Sequence, residues 1–365
     1  MWHRKESEAL PEQVCQLCGE QSPLIAASLG LCLGCIRERP EEALEIGDQA
    51  HAAARRDFGL PLRPPQAEDG HRCGLCVQDC VIGEGERGFC GLREVRDGLL
   101  HHLAGTPERG LLHWYRDGLP TNCVADPVCS GHRQRGRHNL AVFYASCTFD
   151  CLFCQNYHFR DVDPEGANTR SAKGLADRAN EDTYCVCFFG GDPASQMAHA
   201  LKAADLLAER GVVVCWETNG TARSVLMDRA VDVALETGGC VKFDLKAWDD
   251  TLHRVLTGAS NRRTLENISR AAARFDERPD PPLVVVSTLL VPGYVDPAEV
   301  EHIASFVAAQ NSAIPYVLLG FAPHFFLPDL PRTSVAHAEG AESAARRVGL
   351  ETVRVGNRHL LSRAY

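Results

Sequence analysis

The stretch TYCVCFFGGDP, residues 183–193, joins an apolar run to a turn that contains two glycines, an aspartate and a proline. An apolar run of this length with aromatic residues is typical of a buried strand, and the helix-like segment 195–210 follows it. Near-continuous apolar strands that alternate with amphipathic helices are typical of parallel β/α units. The stretch therefore predicts one β/α unit with a polar turn at the end of its strand.

The same order repeats on both sides of this unit. The other candidate strands are LAVFYAS (140–146), VVVCWETNG (212–220), CVKFDLKAW (240–248), LVVVSTLLVPG (283–293) and IPYVLLGFAP (314–323). Helix-like segments at 221–237, 265–277, 296–310 and 334–348 alternate with them. About six such units predict an α/β fold with a partial TIM-type (β/α)6 barrel.

Polar or backbone-permissive residues stand where these strands end. Strand ends of a β/α barrel meet at one rim, where the chemistry gathers, so we expect these residues to lie close together. They are Gly190, Gly191, Asp192, Glu217, Thr218, Asn219, Asp244, Lys246 and His324. An ordinary turn explains any single one of them, but not their recurrence after successive strands.

Three cysteines follow the first predicted strand in the stretch CTFDCLFCQN, residues 147–156. Cys147, Cys151 and Cys154 have the spacing C-x3-C-x2-C, with no fourth cysteine nearby. Three thiolates can hold three irons of a cubane cluster and leave the fourth iron open. Closed metal sites are structural and open ones perform chemistry, so this loop predicts a reactive cluster.

Seventeen cysteines are many for a chain in a reducing compartment, where they favour metal binding or redox chemistry over disulfides. The first group, Cys15, Cys18, Cys32 and Cys35, has the spacing C-x2-C-x13-C-x2-C. Two such knuckles form a closed tetrahedral shell, for which we expect zinc, with rubredoxin-like iron as the alternative. The short segment around it implies that the metal supplies folding energy.

The second group is Cys73, Cys76, Cys80 and Cys90, and its spacing leaves zinc and an iron–sulfur cluster equally open. Cys123 and Cys129 either join this group or bind a ligand of their own. The remaining cysteines lie inside apolar runs, where free cysteine packs as a small apolar residue. They are Cys185, Cys187, Cys215 and Cys240.

These groups suggest four parts of the chain. Residues 1–40 form a zinc-ribbon or rubredoxin-like knuckle module, and 41–70 form a helix and a linker. Residues 71–137 form the second cysteine-rich segment, and 138–365 form the β/α core.

The net charge of −10 argues against a general affinity for nucleic acid or anionic membranes. No apolar run approaches the ~18 residues that a membrane span needs. The first residues, MWHRKESEALPEQ, lack the apolar core of a signal peptide. We therefore expect a cytoplasmic protein with no nucleic-acid or membrane partner.

The cysteine loop, with Phe153 before its last cysteine, resembles the signature of the radical S-adenosylmethionine (radical SAM) family. FFGGDP is similar to the Gly-Gly-Glu-Pro segment of that family, with Asp192 in place of the usual glutamate. The chain resembles the group related to pyruvate formate-lyase-activating enzyme, including AmmeMemoRadiSam proteins. The likeness runs over about residues 70–357 through CLFCQNYH, ETNG, KFDLKAWDDTLHRVLTGASN and LLVPGY, whereas HLLSRAY and the first cysteine group lie outside it.

This resemblance implies that Cys147, Cys151 and Cys154 ligate a [4Fe–4S] cluster whose open iron is chelated by SAM. Gly190, Gly191 and Asp192 would lie along the methionyl end of SAM, with Asn219 in the same cofactor-binding set. The resemblance further implies a monovalent cation near Glu217, Thr218 and Asp244. Lys246 would lie near the SAM carboxylate, and His324 would face the substrate. An electron donor such as flavodoxin or ferredoxin is implied as a partner.

Three functions follow as hypotheses. The first is an oxidoreductase-type radical SAM enzyme that abstracts hydrogen from a small molecule or a protein. The second is an activating enzyme that makes a glycyl radical on a partner. The third is a non-enzymatic iron–sulfur or zinc scaffold, which has no need of the segment 190–192.

Overall fold

The structure is a computed structural model that describes residues 11–121, 123–166 and 168–365. Residues 1–10 lie outside this part. They belong to the predicted knuckle module and to the stretch in which no signal peptide is predicted. The strands described are β1 (Gln13–Val14), β2 (Gln21–Ser22), β3 (His71–Arg72), β4 (Val81–Ile82), β5 (Arg93–Arg96), β6 (Leu99–His102), β7 (Gly110–Gly118), β8 (His138–Tyr144), β9 (Thr169–Arg170), β10 (Thr183–Phe189), β11 (Val213–Thr218), β12 (Val241–Asp244), β13 (Val284–Leu290), β14 (Tyr316–Gly320) and β15 (Val353–Gly356).

The helices described are α1 (Leu33–Glu38), α2 (Pro40–Arg56), α3 (Ala172–Ala176), α4 (Met197–Ala208), α5 (Ser224–Thr237), α6 (Asp250–Thr257), α7 (Arg262–Ala272), α8 (Pro297–Gln310) and α9 (Val335–Arg347). Short 3-10 helices lie at Ser130–Arg133, Tyr157–Arg160, Pro193–Gln196, Phe275–Glu277 and Arg358–Leu360.

The main sheet has nine strands in the order β15-β14-β13-β12-β11-β10-β8-β7-β9. The neighbours from β8 to β15 pair in parallel, which confirms the α/β class and the six predicted strands. The sequence did not predict β15, whose four residues are too few for a clear apolar pattern. It also missed β7 and β9, which extend the sheet in antiparallel pairing at the other edge.

The five predicted core helices are present as α4, α5, α7, α8 and α9. Helix α6 was not predicted, because its eight residues are few for a periodic pattern. It begins after Asp249, whose side chain accepts a hydrogen bond from the backbone N–H of Leu252 at 2.7 Å.

The amino-terminal elements pack on the same core as the sheet. Leu29, Leu31 and Ala50 are buried in one apolar cluster with residues of the main strands. The hydroxyl of Tyr294 accepts a hydrogen bond from the N–H of Ala26 at 3.0 Å and donates one to the carbonyl of Leu31. The four-part division of the chain remains a prediction. Strand β7 belongs to the predicted second cysteine-rich segment, but it is part of the main sheet.

A buried carboxylate connects α2 to the cysteine loop. Asp150 lies within the loop and is completely buried. Its Oδ1 accepts hydrogen bonds from Nε of Arg160 at 2.8 Å and from Nη1 of Arg55 at 3.4 Å. Its Oδ2 lies 3.0 Å from Nδ1 of His51. Burial acts to raise the pKa of Asp150, but the hydrogen bond from His51 and the charge of Arg160 hold that pKa below its usual value.

Replacing Asp150 with alanine should destabilise the fold by about 3–5 kcal/mol, because two buried guanidinium groups then lose their anionic partner. Denaturant unfolding at neutral pH measures this change. The stabilisation by Asp150 should be present above about pH 4 and be lost as the pH falls through the lowered pKa.

Asp161→Ala is the matched control, since its carboxylate is 68% exposed and should contribute within about 0.5 kcal/mol. Equal stability of the two variants would show that Asp150 does not anchor the loop.

In the described parts of the chain, every helix is too short or too polar to cross a lipid bilayer.

Candidate functional site

The turn after β10 lies directly against the start of the cysteine loop. Gly191 has a φ of +47°, and a Cβ atom there would lie 2.1 Å from the carbonyl oxygen of Ser146. A Cβ atom on Gly190 would lie 2.1 Å from the ring of Phe143. Both positions therefore require glycine, and the close approach leaves the backbone of the turn beside Cys147.

Asp192 connects the ends of β10 and β11. Its carboxylate accepts hydrogen bonds from the N–H of Asn219 at 2.6 Å, from the N–H of Ala194 at 2.7 Å and from the hydroxyl of Thr218 at 3.0 Å. Burial raises the pKa of Asp192 to about 6, although these donors act in the opposite direction. The chain's own donors thus occupy this carboxylate, so its contribution to the site is to position two strand ends.

Asn219 extends this network to the cysteine loop. Its Nδ2 donates to Oγ1 of Thr148 at 2.8 Å and lies 3.7 Å from Sγ of Cys147. Its Oδ1 accepts from the hydroxyl of Thr221 at 2.7 Å. The structure therefore brings Asn219, Asp192 and Thr218 together with Cys147, as the rim prediction requires.

The two carboxylates of the predicted cation site are each paired with a lysine. The Glu217 side chain lies on the opposite face of β11 from Thr218, and its Oε2 is 3.2 Å from Nζ of Lys242. Asp244 forms a close ion pair with Lys246. The monovalent cation remains a prediction.

Lys246 reaches the cysteine loop. Its Nζ lies 5.7 Å from the ring centre of Phe153. Burial acts to lower the pKa of Lys246, but the charges of Asp244 and Cys151 raise that pKa above its usual value. The lysine therefore carries a positive charge beside the three thiols.

His324 is exposed in the loop after β14, with its Nδ1 3.2 Å from the carbonyl oxygen of Ala322. Two residues later, the N–H of Phe326 donates to the carbonyl of Leu152 at 2.9 Å. The His324 loop thus touches the cysteine loop, whereas a substrate role for the imidazole remains a prediction.

The thiols of Cys147, Cys151 and Cys154 are spaced too widely for a single metal ion. Among the described residues, only the first cysteine group brings three or more donor atoms within 4.8 Å of one another. Cys147 and Cys151 are at most 9% exposed, and burial raises the pKa of Cys151 to about 12 although Lys246 acts against it. Wide spacing suits a polynuclear cluster, in which each thiolate binds a different iron.

Residues 141–307 match the radical SAM superfamily. The chain contains a radical SAM domain. The match includes the cysteine loop and every predicted rim residue except His324, and the resemblance read from the sequence is confirmed at the family level. Members of the radical SAM superfamily are enzymes that use a [4Fe–4S] cluster and SAM. This agrees with the activity and the two cofactors that the sequence predicts.

Several relatives share parts of this sequence. "Uncharacterized protein MJ0808" of Methanocaldococcus jannaschii is 26% identical over 307 residues, which are 78% of this chain and 81% of that protein. Pyruvate formate-lyase 1-activating enzyme of Escherichia coli K12 is 27% identical over 169 residues, 44% of this chain and 64% of that enzyme. Isethionate sulfite-lyase activating enzyme of Oleidesulfovibrio alaskensis is 34% identical over 147 residues, 39% of this chain and 45% of that enzyme. The chain thus spans less than two thirds of each of these activating enzymes.

The first cysteine group lies before the radical SAM domain and is compact. Sγ atoms of Cys15, Cys18, Cys32 and Cys35 lie within 4.8 Å of one another. Burial acts to raise the pKa of Cys15, but backbone N–H groups of Cys32 and Cys18 lower that pKa to about 6, which favours the thiolate that metals bind. This geometry fits a single tetrahedral ion, and zinc remains a prediction.

We expect the purified protein to contain about one zinc ion per chain, and Cys35→Ala to lose it together with thermal stability. Elemental analysis and a thermal melt measure both effects. Ser22→Ala, in the β1–β2 hairpin that carries Cys15 and Cys18, is the control that should keep its zinc. Stoichiometric iron in place of zinc at this group would support the rubredoxin-like alternative.

The second cysteine group lies beside the radical SAM site. Its four cysteines line a pocket that Thr148 also borders. Backbone hydrogen bonds attach the group to the loop after β11, from Val77 N to Thr221 O at 3.1 Å and from Arg223 N to Leu75 O at 2.9 Å. Gln78 donates to the carbonyl of Thr148 at 2.7 Å. The second group is therefore linked through Gln78 to Thr148, which is the residue that follows Cys147.

Sequence reasoning missed several residues of this region. Asp150, Arg160 and Gln78 act through tertiary contacts that no local pattern shows, although a charged residue inside an otherwise apolar cysteine loop was a signal for Asp150. Of the two alternatives for Cys123 and Cys129, membership of the second group is wrong. Both pack instead against strand cysteines in the sheet interior.

Proposed function

We propose that the protein is a radical SAM enzyme that reductively cleaves SAM and uses the resulting radical to abstract hydrogen from a small-molecule or protein substrate. The observation that carries this proposal is the contact between a three-thiol loop and a turn that only glycine can form. An iron–sulfur or zinc scaffold without chemistry would not need that contact.

Cys147, Cys151 and Cys154 would hold three irons of the cluster and leave one iron open. When bound, the reduced cluster and SAM would supply the one-electron reductive cleavage of the sulfonium C–S bond that the proposed hydrogen abstraction requires. The protein itself positions the reactants and excludes water. Gly190 and Gly191 let backbone polar atoms approach the methionyl end of SAM.

Asp192 would act as a positioning residue, since its carboxylate is bound by Thr218, Asn219 and Ala194. Asn219 would orient the Cys147 sulfur through its amide. A hydrogen bond to a cluster sulfur ligand shifts the reduction potential of that cluster. This hydrogen-bond network thereby links the turn at residues 190–192 to the proposed cluster.

Asp244 has one oxygen that finds no hydrogen-bond partner among the described residues, Oδ1, and it is buried. An orphaned buried carboxylate oxygen is a suitable ligand for a hard monovalent cation, with Glu217 and the backbone carbonyl of Thr218 as the other proposed ligands, because the Thr218 side chain lies on the opposite face of β11 from Glu217. Lys246 would bind the SAM carboxylate from the side of the cysteine loop, and His324 would face the substrate.

For the second cysteine group we favour an iron–sulfur cluster over zinc. Its sulfurs do not meet the 4.8 Å spacing that the compact first group shows, and wide sulfur spacing suits a polynuclear cluster. Gln78 and Thr148 connect it to Cys147. This position suits electron delivery from a donor such as flavodoxin or ferredoxin to the SAM site.

Cys151→Ala should reduce the formation of 5′-deoxyadenosine to background, because the variant can no longer hold three corners of the cluster. The measurement is an anaerobic assay of reconstituted protein with dithionite and SAM, in which the product is quantified by chromatography. Undiminished product from this variant would overturn the assignment of the site.

Cys76→Ala is the matched control for the second group. SAM should perturb the electron paramagnetic resonance signal of one reduced cluster in the wild type, since only an incomplete thiolate set has an open iron. That perturbation should persist in Cys76→Ala and disappear in Cys151→Ala. The reverse pattern would show that the two groups have been assigned the wrong way round.

A second candidate function is the activation of a glycyl radical enzyme. The names of the Escherichia coli and Oleidesulfovibrio alaskensis relatives favour it. The test is anaerobic incubation with SAM, a reductant and a glycyl radical enzyme from the same organism. A glycyl radical signal that requires intact Cys151 would establish this activity, and cleavage of SAM without that signal would favour another substrate.

A further inference from the structure

Three cysteines form a row across adjacent strands inside the sheet. Cys187 on β10 is the register partner of Cys215 on β11. Trp216 is paired with Val241, which places Cys240 beside Cys215 on the next strand. Neighbouring strands lie about 4.8 Å apart, so the row presents three sulfurs at that interval on one face.

Two more thiols cover this row. Residues 119–121 and 123–131, which precede β8, border a pocket over the strands. Cys123 and Cys129 line this pocket together with Cys187, Cys215 and Cys240. A pocket lined by thiols from four separate chain segments differs from the isolated buried cysteines of an apolar core.

A buried ammonium group lies among these thiols. Nζ of Lys242 is 3.0 Å from Sγ of Cys123 and 3.1 Å from Sγ of Cys187, and the residue is 2% exposed. The carboxylate of Glu217 also lies 3.2 Å from it. A buried ammonium group needs anionic partners, and thiolates bound to a metal would supply them beside Glu217.

We propose that this pocket holds an iron–sulfur cluster ligated by Cys187, Cys215 and Cys240 of the sheet and by Cys123 of the covering segment. Thiolates select zinc, copper(I) or iron–sulfur clusters among biological metals. A single ion is disfavoured because, in the described chain, these sulfurs do not gather within 4.8 Å of one another. Ligation of a preassembled [4Fe–4S] cluster would replace four S–H bonds by iron–sulfur bonds and release four protons, with no change of oxidation state.

The position of the pocket relates this cluster to the radical SAM site. Cys215 precedes Glu217 by two residues on β11, and Cys240 precedes Lys242 and Asp244 on the strand that carries them. At ~3.3 Å per strand residue, the thiol row lies about 7 Å from Glu217 and about 13 Å from Asp244 along the strands. A cluster there would face the interior of the sheet and exchange electrons with chemistry at the rim. The proposal concerns metal content and does not depend on cleavage of SAM.

The test compares Cys215→Ala with Cys185→Ala in full-length protein prepared without oxygen. Cys185 lies on the same face of β10 as Cys187, two residues earlier, and its sulfur lies 3.5 Å from Oδ1 of Asn139. Both substitutions remove one buried thiol from the same pocket wall. Only the first removes a proposed ligand, so the pair separates ligation from packing.

Iron and acid-labile sulfide are quantified per folded chain, with zinc content and circular dichroism as measures of integrity. We expect Cys215→Ala and Cys187→Ala to lose about four iron and four sulfide, and Cys185→Ala to lose none. The SAM-dependent resonance shift should persist in all three, because the radical SAM cluster remains.

Unchanged iron in Cys215→Ala and Cys187→Ala would overturn the proposal. So would equal losses in Cys185→Ala, which would reflect packing. A disulfide within the row, found by peptide mapping of anaerobic protein under non-reducing conditions, would replace the cluster by a redox-active thiol pair.

Discussion

A carboxylate that is buried away from water needs positively charged partners. The arrangement of the cysteine loop depends on the partners of Asp150. Arg160 comes from the segment after the loop, and His51 and Arg55 come from α2 far earlier in the chain. Because an uncompensated charge inside a protein costs several kcal/mol, the loop keeps its shape only while α2 stays docked. The amino-terminal helix is thus part of the support of the site, although it lies outside the radical SAM match.

The same reasoning explains why Asp192 can replace the family's glutamate. The shorter side chain accepts from the hydroxyl and N–H groups at the end of β11, and these contacts bring two strand ends together. Asn219 continues the path to Cys147 and Thr148. The loop, the glycine turn and the end of β11 therefore form one hydrogen-bonded unit in which movement of one part strains the others.

The sequence predicted the features that local patterns determine. Apolar runs located the six inner strands, and the spacing of the cysteines located the loop and the compact first group. It missed β15 and α6, which are too short to show a period, and β7, whose place in the sheet is set by pairing with β8. It also treated the strand cysteines as packing residues. Their common row arises from the register of three strands, which a single sequence does not show.

Sulfur spacing divides the cysteines of this chain by the chemistry that they can support. The first group is compact, and the closed metal ion that we propose for it would contribute stability alone. The second group and the loop of Cys147 are wider and are joined through Gln78 and Thr148. We propose that the wide groups hold iron–sulfur clusters, which exchange electrons whereas zinc does not. With clusters in both, the order from segment 73–90 to the rim of the sheet would give an electron a short route to SAM, and the backbone hydrogen bonds to the loop after β11 would hold the second group on that route.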